Sequence, residues 1–526
     1  MAGPEVLRLG PFSGGLNIGS DPVVVGDNEL TDCLNFELDI DGALVSRPAI
    51  QVTFQGASNE RLLIFGSVVF SGTLYLFATR AGATFVSSNA GSSWTALSPG
   101  GLARECKTME VYNNTVWMPA TPTSANGGIS WTPGGGAVAV AAMPRAEKCT
   151  VHKNRLYLCP GESATVNASR LTFSAAADFT TWPGTSFIDV QPGDGDTLNN
   201  VVIYQDNILL FKGESTHVLA YDLDPVDAIL REINPVVGSG GSFGVVQYEN
   251  TVYALHRNKV YEINNFNFTL LNLKVPLVFD NQLPTNTTVR YENQHLSTLG
   301  ERLIVRYYNR TYSFQLRTRT WGEWMKTDDT STIEWHIFGP LVRARDLAGS
   351  GLDSYYTGYS FDVSSGGYKV IKIIDGRASG SVEGTGSPHK MYCIATTKDY
   401  DMADPIRYKR LFWWGADVIT GEDFMGSVTP ITLISSITWD SLTTETWADL
   451  GLWGTPIIGA VPYTEVTVGD DIASTNKVIK IGKAMRFRKA NFSIRMQTDG
   501  SPSQPTKLFQ FVAVVGIKQL VSAKIS

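Results

Sequence analysis

Residues able to do chemistry are scattered along this chain rather than grouped. The six histidines are His152, His217, His256, His295, His336 and His389. No two are four residues apart, the spacing that places two metal ligands on one helix face. No HExxH motif, Walker A loop or GxGxxG turn occurs. The five cysteines, Cys33, Cys106, Cys149, Cys159 and Cys393, form no CxxC and suit no zinc site. They read as reduced, buried thiols, which fits assembly in a cytosol. Gln191-Pro192-Gly193-Asp194-Gly195-Asp196 sets two carboxylates two residues apart in a Gly-rich turn. Such oxygens can take Ca²⁺, or the segment is a plain polar turn before a strand. Basic residues gather late in the chain, at Arg407, Lys409 and Arg410, then Arg486, Arg488 and Lys489. Strand alternation puts Arg486 and Arg488 on one face, toward an acidic neighbour, DNA phosphate or solvent. No cofactor is implied, and the chain does not read as an enzyme.

The elements that must position these groups read as β. The chain has 526 residues, with 50 Gly, 20 Tyr, 24 Phe and 12 Trp, and only 18% charged residues. Rich aromatics, rich glycine and sparse charge indicate many strands and turns. The net charge of −7 argues against a general nucleic-acid coat, which needs a basic surface. The N-terminal residues lack a basic segment followed by an apolar run, so no signal peptide is expected. The longest apolar run, near Leu508 to Ile517, is far short of a membrane-spanning helix. The best helix signal is Asp27 to Asn35, with Asp27 as N-cap.

A strand–turn–strand phrase recurs. It appears as VFSGTLYL (Val69 to Leu76), VYNNTVWM (Val111 to Met118), VHKNRLYL (Val151 to Leu158), IYQDNILL (Ile203 to Leu210), QYENTVYAL (Gln247 to Leu255) and TLGERLIVR (Thr298 to Arg306). A weaker copy is GLDSYYTGY (Gly351 to Tyr359). Asn, Asp and Gly at the turn tolerate the positive φ that two-residue hairpin loops need. Turn positions 72, 114, 154, 206, 250 and 301 are separated by 42, 40, 52, 44 and 51 residues. That is the length of a four-stranded propeller blade. Trp94, Trp131, Trp182 and Trp321 follow four of these turns and are suited to fill space between blades. Ser87-x-Asn89-x-Gly91-x-x-Trp94 resembles the Asp-box of sialidase-like propellers, with Asn in place of Asp. It is a structural turn.

Residues 11–48 add a different likeness. Gly14-Gly15-Leu16-Asn17, Pro22, Asp27-Asn28-Glu29, Asn35 and Asp41-Gly42-x-Leu44-x-x-Arg47-Pro48 occur in that order. Farther on come Asn154-Arg155-Leu156-Tyr157, Arg170-Leu171, Trp182, Gly193-Asp194-Gly195-Asp196 and Leu209 to Gly213. This series resembles bacteriophage tail proteins of the nozzle and tail-hub type, over roughly residues 11–330. The resemblance implies a virion structural protein, assembled in the host cytoplasm. It implies a homo-oligomeric ring, most plausibly a hexamer, around a channel for genomic DNA. Its partners would be portal-adaptor or tail-tube proteins and fibre, spike or needle proteins, with no membrane span.

The expected fold is all-β. A six- or seven-bladed β-propeller (51–385) follows an N-terminal arm (1–50) and precedes a β-sandwich (386–526). The candidate interface residues are Arg47, Pro48, Gly238, Gly240, Gly241, Arg407, Lys409, Arg486 and Arg488. The Gly238 to Gly244 loop either lines the channel or turns between blades. The alternative function is a propeller that binds host glycan, or a sialidase-like one.

Overall fold

The computed structural model describes residues 5–277 and 294–324, with short interruptions at 22–23, 41, 49, 56–61, 126, 222–223 and 309. It also describes 339–345, 353–359, 369–374 and 391–398, and after 398 the backbone of the strands named below. Helix among these residues is limited to two single 3₁₀ turns, Pro99–Gly101 and Pro225–Asp227.

The repeated phrase builds a propeller. Blades 1 to 5 span 63–96, 110–140, 148–189, 198–234 and 245–270. Each is a separate four-stranded antiparallel sheet with strands in chain order. Blade 6 (294–324) repeats this meander, but its last strand continues into a ten-stranded sheet. Blade 7 combines Val342–Ala344, Ser354–Tyr359 and Lys369–Ile374 with Ile50–Gln55 as its outermost strand. Six of the blades are therefore separate sheets, and blade 7 is closed by the strand that starts where the arm ends, at Ile50.

The turns form where their residues permit. Asn113 and Asn114 have φ of 48° and 57°, and Lys153 and Asn154 have 43° and 59°. Gln205 and Asp206 repeat this geometry. Two successive positive φ values define the turn whose twist matches the flanking strands. In the seventh phrase Ser354–Tyr359 is the second strand of blade 7, while Gly351 and Leu352 lie outside the described residues. The Asp-box-like turn joins the last two strands of blade 1. Asn89 Oδ1 accepts from Ser93 N at 2.9 Å, and Gly91 N donates to Ser87 Oγ at 2.9 Å. Gly91 has φ +87°, and an added Cβ would lie 2.8 Å from Val370 of blade 7.

Apolar clusters fasten each blade to the next. Trp131 joins Phe77 and Met118 between blades 1 and 2, in edge contact with the rings of Tyr75 and Phe77. Trp182 packs on the cluster of blades 2 and 3. Tyr157, Leu171 and Leu210 join blades 3 and 4, and Phe211, Val252 and Ile263 join blades 4 and 5. Trp321 of blade 6 donates its Nε1 proton to Leu271 O, just past blade 5, at 3.3 Å. Trp324 and Tyr355 join blades 6 and 7. Ile64 and Tyr356 close the circle between blades 1 and 7, with Trp94 against them.

The strands after residue 390 divide between two sheets. Met391–Thr397, Ala490–Thr498, Ile431–Trp439 and Thr464–Val468 lie in the ten-stranded sheet with blade 6. Lys409–Ile419, Lys477–Lys480, Met485–Phe487 and Lys507–Ile517 lie in a seven-stranded sheet. The arm enters both. Glu5–Leu9, Leu44–Ser46 and Phe36–Leu38 complete the second sheet. Glu29–Leu34 stands in the first, between blade 6 and Met391–Thr397.

This last placement corrects the expected helix at Asp27 to Asn35. Residues Glu29–Leu34 are a strand, parallel to Gly15–Leu16 and antiparallel to Met391–Thr397. Strand partners distant in sequence override the local N-cap pattern, which is worth only about 1 kcal/mol. The five cysteines are free and buried.

Closure between blades 7 and 1 is tight enough to test. A Cβ at Gly358 would lie 1.9 Å from Leu62 O, a backbone atom that cannot swing aside. Gly358→Val should lower unfolding stability by about 3 kcal/mol in denaturant titrations. An unchanged midpoint would contradict this closure.

Candidate functional site

Arg47, expected at a subunit interface, lies inside the chain and is 1% exposed. Its Nε donates to Asn35 Oδ1 at 2.9 Å, and its Nη1 donates to Pro48 O at 3.1 Å. The guanidinium sits 6.0 Å from the Trp324 ring centroid. Pro48 is also buried. Asn35 has φ +56°. Its N donates to Glu323 O at 2.7 Å, and its O accepts from Arg47 N at 2.9 Å and Cys393 Sγ at 3.4 Å. One residue thus ties the arm to blade 6 and to the C-terminal strands.

Glu37 forms a second knot beside it. Its buried carboxylate accepts from Arg302 Nε at 2.6 Å and from Trp324 Nε1 at 3.1 Å. A carboxylate this buried is stable only when paired and hydrogen-bonded, and here both oxygens are engaged. A cleft of about 320 Å³ opens next to this pair. Arm residues from Glu37 to Ile40, with Val45 and Ser46, form one side. Residues of the blade 6 turns, around 301–302 and 315–318, form the other.

The seam between the arm and blade 6 also carries charge. Leu34 pairs with Glu323, and Asp32 lies two residues back on the same strand. Burial pushes the Asp32 carboxyl up to about 6, against the lowering effect of Arg310. Glu323 is pushed up to about 7 by burial, opposed by Arg310 and reinforced by Asp32. Arg310 Nη1 lies 3.6 Å from Glu323 Oε1.

The Gly-rich loop between blades 4 and 5 is packed near the propeller axis. The first strands of blades 2 to 6 contact one another in succession, so the segments leading into them converge. Asn199 and Asn200, at the start of blade 4, donate to Ser239 O at 2.9 Å and Ser242 O at 2.8 Å. Ser242 Oγ donates to Glu147 Oε2 at 2.5 Å. Lys148 Nζ lies 4.6 Å from the Phe243 ring centroid. Glycine is needed here for space. A Cβ at Gly238 would lie 2.2 Å from Lys212 O, and one at Gly241 2.2 Å from Glu162 Oε1. At Gly240 it would meet Gln294 Oε1 at 2.8 Å. Gly240-x-Ser242-x-Gly244 has the spacing of a nucleophile elbow, which needs a strand-to-helix turn. Here a strand, Val245–Tyr248, follows.

The Gly193 to Asp196 turn already holds a cation of the protein's own. Lys212, fully buried, places its Nζ against Asp194 Oδ2 and donates to Val190 O and Gln191 O at 3.2 Å each. Burial alone would raise Asp194, but its bonds from Lys212 and Asp196 N hold it below the usual carboxylate range. Asp196 accepts from the backbone N–H of Thr197, Gly213 and Glu214 at 2.9 to 3.0 Å. Both carboxylates therefore have internal partners where calcium coordination was one expectation.

Of the late basic residues, Arg407 and Arg488 lie outside the described residues. Lys409 opens strand Lys409–Ile419, opposite Phe487, and Arg486 stands opposite Arg410. The structure thus separates the candidates into an arm junction, an axial loop and a C-terminal sheet. Asn35 carried a signal in sequence, but Glu37 did not, because Arg302 and Trp324 are 265 and 287 residues away.

Two outcomes follow from these charges. Asp32 and Glu323 have folded pKa values above their unfolded ones, so the native state binds more protons between about pH 4 and about pH 7. Stability should rise as pH falls through that window, and the Asp32→Asn, Glu323→Gln double variant should flatten the slope in thermal melts. An unchanged slope would contradict it. Lys212→Met removes the partner of a half-exposed carboxylate and should cost about 2 kcal/mol. Added calcium should leave the melting temperature of the unaltered protein unchanged, and a calcium-dependent rise would assign the turn to a metal.

No family model matches the sequence, and no curated protein does. Among solved structures, the AfRom2 CNH domain aligns with 62% of this chain and 99% of its own, at 10% identity and a TM-score of 0.38. PorZ, a surface component of the type-IX secretion system of Porphyromonas gingivalis, aligns with 65% of this chain, at 12% identity and a TM-score of 0.37. This chain covers 42% of that one. Neither likeness speaks to what this chain does.

Proposed function

We propose that this chain is a structural subunit of a bacteriophage tail, of nozzle or hub type. It forms a homo-oligomeric ring, a hexamer, around the channel for genomic DNA. It docks on the adaptor or tail tube and carries fibre, spike or needle proteins. Its role is mechanical rather than catalytic.

The observation that carries this reading is the use to which the 11–48 phrase is put. Gly15 has φ +64°, and a Cβ there would lie 2.7 Å from Thr320 Cβ of blade 6. Asn17 donates to Glu29 Oε2 at 2.8 Å, and Glu29 pairs with Lys274 at 2.6 Å. Gly42 has φ +83° and packs on Pro11. Asn35 and Arg47 make the junction described above. The residues behind the resemblance thus hold an arm, a propeller and a pair of sheets in one unit. A phrase that serves such a tie supports a shared architecture, and a rigid unit suits the wall of a ring. Net charge of −7 suits a surface along which DNA passes without sticking.

Ring subunits that meet head to tail must match two different surfaces. Native mass spectrometry and negative-stain microscopy of the full chain, alone and with the adaptor protein of its virion, test the reading. The expected species is a closed ring of identical copies. A chain that stays monomeric in both preparations would contradict it.

A further inference from the structure

The Gly238 to Gly244 loop is held at its first residue by a histidine nitrogen that stands between a donor and an acceptor. His256 ends the strand Thr251–His256 of blade 5 and is 4% exposed. Gly238 N donates to its Nδ1 at 3.2 Å. Gly213 O, in the turn between the second and third strands of blade 4, lies 3.1 Å from the same nitrogen. A backbone N–H can only donate, so the Gly238 bond needs Nδ1 without a proton. The imidazole proton then sits on Nε2, 3.6 Å from Glu214 Oε2.

A second proton can go only to Nδ1, and it reverses the role of that atom. The imidazolium donates to Gly213 O, and the Gly238 N–H then faces another donor inside the fold. The surroundings leave no room for a small adjustment. A Cβ at Gly238 would lie 2.2 Å from Lys212 O and 2.6 Å from Gly213 O. The next residue is bound as well, with Ser239 N donating to Lys212 O at 2.8 Å. A buried N–H without an acceptor is as unfavourable as a lost hydrogen bond, so the start of the loop is driven away from blade 4.

The charges around the ring set the direction. Burial holds His256 below the ordinary imidazole value of 6.5. Glu214 and the Gly213 carbonyl oppose this, whereas Arg257 and Lys259 of the adjoining hairpin add to it. The loop itself, GSGGSFG, carries no ionisable side chain. The unfolded chain therefore takes up the proton first. The closed arrangement is fully stable above about pH 6.5 and weakens as pH falls below it.

We infer that His256 is a proton-operated latch on the axial Gly-rich loop, closed when the ring is neutral and open when it is charged. The latch lies within one copy of the chain, so it is independent of ring assembly.

Hydrogen-exchange mass spectrometry of the full chain at about pH 7.5 and about pH 5, corrected for the intrinsic exchange rate, tests it. Protection over residues 237–244 should fall roughly tenfold at the lower pH, the effect of losing one bond and leaving its donor buried. Blade 1 should keep its protection. His256→Asn places an amide oxygen near the Nδ1 position and cannot take up a proton, so its loop should stay protected at both pH values. Glu214→Gln alters an exposed side chain, removes a group that favours the charged ring, and should move the transition to lower pH. If His256→Asn does not fold, Glu214→Gln decides. Loop protection that ignores pH, a loss shared by every blade, an equal loss in His256→Asn, or an unmoved transition in Glu214→Gln would overturn the latch.

Discussion

Asn35 is fully buried, stands in the left-handed region at φ +56°, and links three parts of the chain through its own backbone and side chain. Left-handed backbone costs about 1 kcal/mol or more for most residues, and least for Gly and Asn. The cost is offset here by hydrogen bonds to Arg47, Glu323 and Cys393, each worth about 1 kcal/mol net. The sharp turn it makes lets Glu29–Leu34 end in the ten-stranded sheet while Phe36–Leu38 begins the edge of the seven-stranded one. Without that turn the arm could serve only one sheet. Arg47, Glu37 and Trp324 are positioned by it, and so is the cleft beside them.

The propeller and the arm depend on each other in turn. Blade 7 is completed by Ile50–Gln55, which follows the Arg47 and Pro48 junction directly in the chain. Blade 6 is extended by Glu29–Leu34 through the Leu34 and Glu323 pairing. Two neighbouring blades thus share their outer strands with segments far away in sequence, whereas blades 1 to 5 are self-contained meanders. The tie concentrates long-range pairing on one side of the ring.

Much of the propeller was legible because its signals are local. Asn114 and Asn154 mark turns by their tolerance of positive φ, and Trp131 and Trp321 mark blade contacts by their size. The Asp-box-like turn works as expected, with Asn89 taking the place of Asp. The junction was legible only as a phrase whose meaning was hidden. Arg47 could be noticed, but not its burial, because Asn35 and Trp324 come together only in the folded chain. Glu29–Leu34 looked helical because Asp27 is a local signal and Met391–Thr397 is a distant one. The Gly193 to Asp196 turn looked able to hold calcium because Lys212 belongs to the next blade.

We propose that this chain is a wall subunit of a phage tail ring. Cryo-electron microscopy of the particle that contains it, read for copy number and position, tests the claim most directly. The account predicts a closed ring at the distal tail, with the arm junction of each subunit intact and the channel running between subunits. A chain absent from the tail, or present only as an isolated appendage outside any ring, would contradict it.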